Sequence, residues 1–173
     1  EINTVFITTR HDDHGKKVLH SLNAGKHVFV EKPLAIYENE LEDIKSFYSS
    51  AEIKPVLQVG YNRRFAPLVQ EMKNIIKGLP ISINYRVNAG IIPRDVWIQD
   101  ADVGGGRVIG EVCHFIDTCT FLTGSLPESV YASCVTKPDQ SIPDEDNVSV
   151  TIKYENGSTA VINYYAFGNS QLP

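Results

Sequence analysis

Residues 2 to 30 read INTVFITTRHDDHGKKVLHSLNAGKHVFV, and this stretch decides the fold. Ile2 to Thr8 is β-branched and mostly apolar on both faces, the pattern of a strand buried inside a parallel sheet. A helix should follow at once. Asp12 and Asp13 sit where a helix N-terminus favours anions and caps, Val18, Leu19 and Leu22 supply an apolar stripe, and Gly25 suits the C′ position. Val28-Phe29-Val30 then forms a second short apolar strand. Strand, helix and strand within about thirty residues make one βαβ unit, with parallel strands and a right-handed crossover.

The alternation continues outward from that unit. Leu41, Ile44 and Tyr48 recur at helical spacing, and Pro55 precedes an apolar run, Val56 to Val59, that ends at Gly60. After Gly60 the pattern changes. A helix around Leu68, Met72, Ile75 and Ile76 ends at Gly78, and Ile81, Ile83, Tyr85 and Val87 then alternate with polar residues, as in a half-exposed sheet. Two later strands, Val148 to Tyr154 and Thr159 to Phe167, flank Glu155-Asn156-Gly157-Ser158, whose Asn-Gly pair suits a type I′ hairpin turn. Between these regions Val112, Phe115, Ile116, Cys119 and Leu122 mark a helix with one apolar face, closed by Gly124. The expected fold is therefore α/β plus α+β. A parallel α/β remnant occupies residues 1–60, and an open antiparallel sheet with helices on one face occupies residues 61–173.

Composition excludes several classes of function. The 173 residues hold 16 basic and 21 acidic side chains, a formal charge of −5, with 42% hydrophobic and 21% charged residues. This balance belongs to a globular protein rather than to a disordered, collagenous or coiled-coil chain. A sequence pI of about 5.5 and the lack of a basic stripe argue against a nucleic-acid partner. The longest uncharged stretch, Asn156 to Pro173, is too rich in Asn, Ser, Thr, Gln and Gly to span a membrane, so no membrane partner is expected. Cys113, Cys119 and Cys134 are odd in number and have no C-x-x-C spacing, which points to a reducing cytoplasm and to neither a disulfide framework nor a zinc site. The chain opens directly into a strand, without an initiating methionine or a charged leader, and so reads as an excised piece.

The most specific string is Ala24-Gly25-Lys26-His27-Val28-Phe29-Val30-Glu31-Lys32-Pro33-Leu34-Ala35, because it sets Glu-Lys-Pro at the carboxyl end of a parallel strand. Open α/β sheets bind ligands at that edge. A lysine held there can support negative charge developing on a substrate oxygen, and Pro33 fixes the backbone that aims it. The same ammonium can also be only a solvated surface charge. His11-Asp12-Asp13-His14 has the composition of a metal site, but four adjacent residues at a helix start cannot all face one ion. Helix capping is the better reading, no metal is expected, and His11 is expected to be solvated. Asp144-Glu145-Asp146 reads as a solvated loop.

Taken in order, these strings resemble the Gfo/Idh/MocA family of NAD(P)-dependent oxidoreductases. The A-G-K-H-V and E-K-P-L-A segments match closely. Val5 to His14 is similar to that family's strand followed by A-T-P-N-x-x-H, with Thr9 and His14 matching and Arg10 and His11 departing. Gly60-Tyr61-Asn62-Arg63-Arg64-Phe65-Ala66-Pro67 is similar to its domain-joining segment. Trp97, Asp100, Gly104-Gly105-Gly106, His114 and Asp117 resemble its W-x-x-D…GGG…H-x-x-D pattern.

The resemblance implies a partial Rossmann domain followed by a substrate domain. It also implies hydride transfer between NAD or NADP and a secondary alcohol of a sugar, nucleotide-sugar or cyclitol. Lys32 and His114 become the expected catalytic pair, the first as a cation beside the reacting oxygen and the second as proton acceptor. Thr9, His14, Glu31, Lys32 and Pro33 become the cofactor side, and Arg63, Trp97 and Glu111 the substrate side. Trp97 can equally plug the core, His114 can be structural, and Glu111 can be a solvated face residue. The GGG loop is expected to let backbone approach the ligand. One departure bears on the proton relay: many members have an aspartate four residues before the histidine, where this chain has Gly110, with Glu111 next to it.

No G-x-G-x-x-G string occurs, so the resemblance places the pyrophosphate-binding half upstream of Glu1 and implies weak cofactor binding by this stretch alone, which should be inactive. A homo-oligomer through the open sheet is also implied. Two other activities share the pattern: a non-catalytic nucleotide-responsive regulator, and an NAD-dependent glycosidase or epimerase in which hydride is removed and returned with no net redox change.

Overall fold

A computed structural model describes residues 2–135, 147–166 and 171. The chain forms two compact units: Glu1–Tyr61 with Arg94–Gly110, and Asn62–Pro93 with Glu111–Pro173. The segment Arg94–Gly110 thus lies with the first unit, although it follows residue 60 by more than thirty positions.

The first unit is a parallel sheet of β1 (Thr4–Ile7), β2 (His27–Val30) and β3 (Leu57–Val59), in that order, crossed by α1 (His14–Asn23) and α2 (Glu38–Ser50). Thr4 pairs with His27, and Val28 with Leu57. Ile7, Val18, Leu22, Val28, Val30 and Ile44 make the core between sheet and helices, each contributing roughly 1.5–3 kcal/mol of burial. Gly25 ends α1 as expected. Its φ of 69° lets Lys26 N–H reach Ser21 O and Gly25 N–H reach Leu22 O, the paired bonds of a Schellman cap.

Among the described residues β1 pairs with β2, and its Phe6 rests on Phe29 at 5.4 Å. One expectation fails here: the aspartates do not cap α1. Asp13 holds the N-cap position without a side-chain cap bond and pairs with Lys17 one turn later. That pairing holds the Asp13 carboxyl below its usual range, the Lys17 hydrogen bond being the main cause.

In the second unit β4 (Ser82–Asn88), β5 (Pro127–Cys134), β6 (Asn147–Tyr154) and β7 (Thr159–Tyr165) form one sheet in the order β4-β7-β6-β5. The sheet is mixed rather than wholly antiparallel: β4 runs parallel to β7, and the other two pairings are antiparallel. The β6–β7 turn also differs from the expected type I′. Among its residues only Gly157 has positive φ, 87°, and Gly157 N–H donates to Tyr154 O. That is a type I turn followed by a glycine bulge, which needs one left-handed residue instead of two.

The alternation along β6 and β7 buries Val148, Val150, Ile152, Tyr154, Ala160, Ile162 and Tyr164 on one face. There α4 (Cys113–Thr123) packs Phe115 against Tyr85 at 5.0 Å and Tyr164 at 6.1 Å. The opposite face carries Tyr131, Thr151 and Val161 in one cross-strand row, with Tyr131 exposed and Val161 half-buried. Helix α3 (Pro67–Ile76) begins with proline and ends on Lys77 in the left-handed conformation, φ 51°. Gly124, φ 65°, ends α4, where Lys73 Nζ donates to Leu122 O at 3.0 Å. A cation there complements the negative end of the helix dipole.

The three cysteines are free thiols. Among the described residues no helix is long and apolar enough to cross a membrane. Phe167 and Asp144-Glu145-Asp146 lie outside the described residues.

Candidate functional site

The carboxyl ends of β1 and β2 bring together five of the expected residues: Thr9, His14, Glu31, Lys32 and Pro33. Each strand stops where its register ends, and the chain turns out of the sheet. His14, the first residue of α1, is fully buried. Its Nδ1 lies 2.7 Å from Pro33 O and its Nε2 3.1 Å from Thr9 O. Both partners are carbonyl oxygens, so whichever ring nitrogen makes its bond donates; the neutral ring supplies one N–H and the cation two. Thr9 itself is exposed and Pro33 buried. The Glu31 carboxylate lies against the backbone of Gly60: a Cβ there would stand 3.0 Å from Oε2.

Lys32 is half-buried, and its Nζ donates to Gly110 O at 2.7 Å. The acceptor sits in a π-helical turn, Val108–Val112, that runs into α4. Such widened turns recur at functional sites because they displace carbonyls from regular helix register.

The first unit also carries Trp97 and the three glycines. Trp97, half-buried in a 3-10 turn over Trp97–Gln99, meets His11 edge-on at 4.9 Å and takes the Arg10 guanidinium over its ring at 5.7 Å. His11 is not solvated as expected but buried, with Nδ1–H donating to Gly104 O at 2.7 Å. Asp12 N–H donates to Val103 O, and Tyr37 Oη donates to Asp102 Oδ1 at 3.0 Å. These bonds are why residues 94–110 belong to this unit. Sequence reasoning missed them because each joins positions about sixty-five to ninety-three apart. The glycines answer to the chain's own packing and backbone conformation. A Cβ on Gly104 would stand 2.4 Å from Ile98 Cα and O, while Gly105 and Gly106 have φ of 74° and 76°.

Arg63, Glu111 and His114 belong to the second unit. His114 is buried in the first turn of α4, and Glu111 is half-buried in the π turn before it. Arg63 lies over the Phe115 ring at 4.8 Å. Its neighbour Arg64 makes a bidentate pair, gripping Asp117 through Nε and Nη2. That side chain is thus engaged by a buried carboxylate of the chain itself. Among the described residues no cluster of three or more His, Cys, Asp or Glu could hold a metal ion.

Comparison with known proteins agrees with this architecture. Residues 1–61 match the model of an oxidoreductase family with an NAD-binding Rossmann fold, and residues 71–170 that of the GFO/IDH/MocA C-terminal domain. The 1-carboxy-3-chloro-3,4-dihydroxycyclo hexa-1,5-diene dehydrogenase of Comamonas testosteroni is 31% identical over 180 residues, covering 98% of this chain and 44% of that protein. Inositol 2-dehydrogenase of Rhizobium meliloti is 30% identical over 168 residues, covering 94% of this chain and 50% of its own length. A crystal structure of an NAD-binding protein from Listeria innocua superposes with a TM-score of 0.75 at 28% identity, over 99% of this chain and 51% of that one. The chain therefore spans about half the length of the relatives it matches. With both family models matched in order along nearly its whole length, the chain belongs to the Gfo/Idh/MocA oxidoreductase family.

Proposed function

We propose that the protein is an NAD- or NADP-dependent dehydrogenase acting on a secondary alcohol of a cyclitol, sugar or nucleotide-sugar. The observation that carries this reading is the amine of Lys32, held at the carboxyl end of a parallel strand by Gly110 O. Relatives named as dehydrogenases of inositol and of a dihydroxylated ring support the substrate class. This chain carries one side of a dinucleotide site. Its exposed Thr9 and half-buried Lys32 are donors suited to the carboxamide and the reacting end, while no glycine-rich turn in the sequence suits a pyrophosphate. Bound there, the nicotinamide would supply a hydride acceptor.

Lys32 then donates a hydrogen bond to the carbinol oxygen and stabilises the charge that grows on it as hydride leaves. His114 accepts the hydroxyl proton. Thr9, His14, Glu31 and Pro33 orient the cofactor side, and Arg63, Trp97 and Glu111 the substrate side. The outer face of the mixed sheet, which carries the exposed Tyr131, is the surface through which copies associate.

The test is an assay of the full-length protein with NAD and NADP against free cyclitols, sugars and nucleotide-sugars. Net reduction of cofactor that falls by about 10²–10⁴-fold in both Lys32→Met and His114→Phe supports the reading. Product without net reduction points to an internal redox cycle. Gly110, which removes a carboxylate from the turn, favours one further outcome: nucleotide binding without turnover, as in a regulator.

A further inference from the structure

His11 and Gly110 fit one another. A Cβ on Gly110 would stand 3.2 Å from His11 Cε1, closer than about nine in ten real contacts of that kind. The imidazole has little room to give way. Its Nδ1 is bonded to Gly104 O at 2.7 Å, its edge packs on Trp97 at 4.9 Å and 78°, and only 6% of the residue is exposed. Any side chain at 110 therefore pushes on the backbone of the π turn, and that backbone carries the carbonyl that accepts from Lys32 Nζ.

We infer that His11 is a positioning residue for Lys32. It fixes the turn from Gly104 to Gly110 and occupies the space beside Gly110, so that the amine of Lys32 keeps its acceptor. The inference rests on reading Lys32 as the reactive cation. It also links two departures from the family strings, since a side chain at 110 would meet the ring at 11.

The test reads Lys32 directly, without cofactor or substrate. The chain and its variants Gly110→Ala, His11→Ala and the double variant are trace-labelled with acetic anhydride, and acetylation of Lys32 is measured by mass spectrometry relative to exposed Lys54. Gly110→Ala is expected to raise Lys32 labelling at least about threefold, and His11→Ala added to it to bring labelling back towards the parent value. Equal effects of Gly110→Ala with and without His11 overturn the inference. Should Gly110→Ala fail to fold, recovery of folding in the double variant supports it, and failure of both overturns it. Inactivity of the full-length protein, together with the expected labelling pattern, counts against the dehydrogenase reading alone.

Discussion

His14 Nδ1 stands 2.7 Å from Pro33 O, joining the first residue of α1 to the turn that follows β2. Its other nitrogen faces Thr9 O, so one fully buried ring ties the ends of two parallel strands. His14→Leu keeps the volume and removes the ring N–H, leaving a carbonyl short of its partner. Such a loss costs about 1–3 kcal/mol, so stability should fall by about that amount. Urea unfolding reads this as a lower midpoint at unchanged slope. A shift below half of that range would mean that the carbonyl finds another donor.

Gly104 and Gly106 are adjacent in one motif and should respond differently to alanine. At 104 the new carbon meets Ile98 backbone at 2.4 Å, which nothing flexible can relieve. At 106 it meets nothing within 4 Å, and only the φ of 76° is unfavourable. Gly106→Ala should cost about 1–2 kcal/mol. Gly104→Ala should cost about 3 kcal/mol or more, by the overpacking that buried backbone cannot absorb. Thermal melts of the two variants side by side decide it, and equal melting temperatures would contradict the packing argument.

Cys119 lies fully buried on α4, and burial pushes its thiol up from 9.0 to about 12. The raised value favours the protonated thiol in the folded chain. Its contribution to stability is fully present below pH 9, declines as the unfolded thiol ionises and is lost as pH rises through about 12. At pH 8 to 9, iodoacetamide should therefore modify the half-buried Cys113 and Cys134 while sparing Cys119 until denaturant is added. Peptide mapping after a short exposure checks this. Early alkylation of Cys119 would show that α4 opens locally.

The bidentate pair of Arg64 and Asp117 is strongly asymmetric in burial, with side chains 33% and 8% exposed. Removing the arginine leaves a buried carboxylate, whereas removing the carboxylate leaves a cation that reaches water. Arg64→Leu should therefore destabilise more than Asp117→Leu, by roughly 1 kcal/mol or more, because the unpaired buried charge carries the larger penalty. Raising the salt concentration should narrow the gap only slightly, since a half-buried pair is poorly screened. Chemical denaturation of both variants in low and high salt measures each term.

What the sequence could disclose follows from the range of the interactions involved. The βαβ unit was legible because its signals are local: Val18 and Leu22 lie one turn apart on α1, and Gly25 acts within its own cap. The place of Lys32 beyond a strand end was legible because that end can be read from Val28 to Val30. The burial of His11 was not, because its partner Gly104 lies 93 residues away and a histidine beside two aspartates looks hydrophilic. The turn at Gly157 was misjudged for a different reason. An Asn-Gly pair permits two left-handed residues without requiring them, and here Asn156 instead accepts Ser158 N–H through its side chain at 3.0 Å. The strand β5 was not legible, because all but its last residue are exposed and no alternation marks it.

The parallel pairing of β4 with β7 was hidden in a serine. Ser158 is 1% exposed, and its Oγ accepts Ile81 N–H at 3.0 Å, while Thr159 N–H donates to Ile81 O at 2.9 Å. Together these bonds set the first rung, Ser82 opposite Thr159, from which the parallel register runs to Asn88 and Tyr165. Ser158→Ala leaves the Ile81 amide without this acceptor at the start of the ladder, at a cost of about 1–3 kcal/mol. Amide exchange at Ile81 and Ile83 should accelerate, while exchange at the antiparallel Val150 and Ile162 stays near its parent rate. If all four amides accelerate together, the sheet opens as one cooperative unit and Ser158 holds more than the edge strand. If none does, the register is set by the apolar contacts of Tyr85 and Phe115 rather than by this hydroxyl.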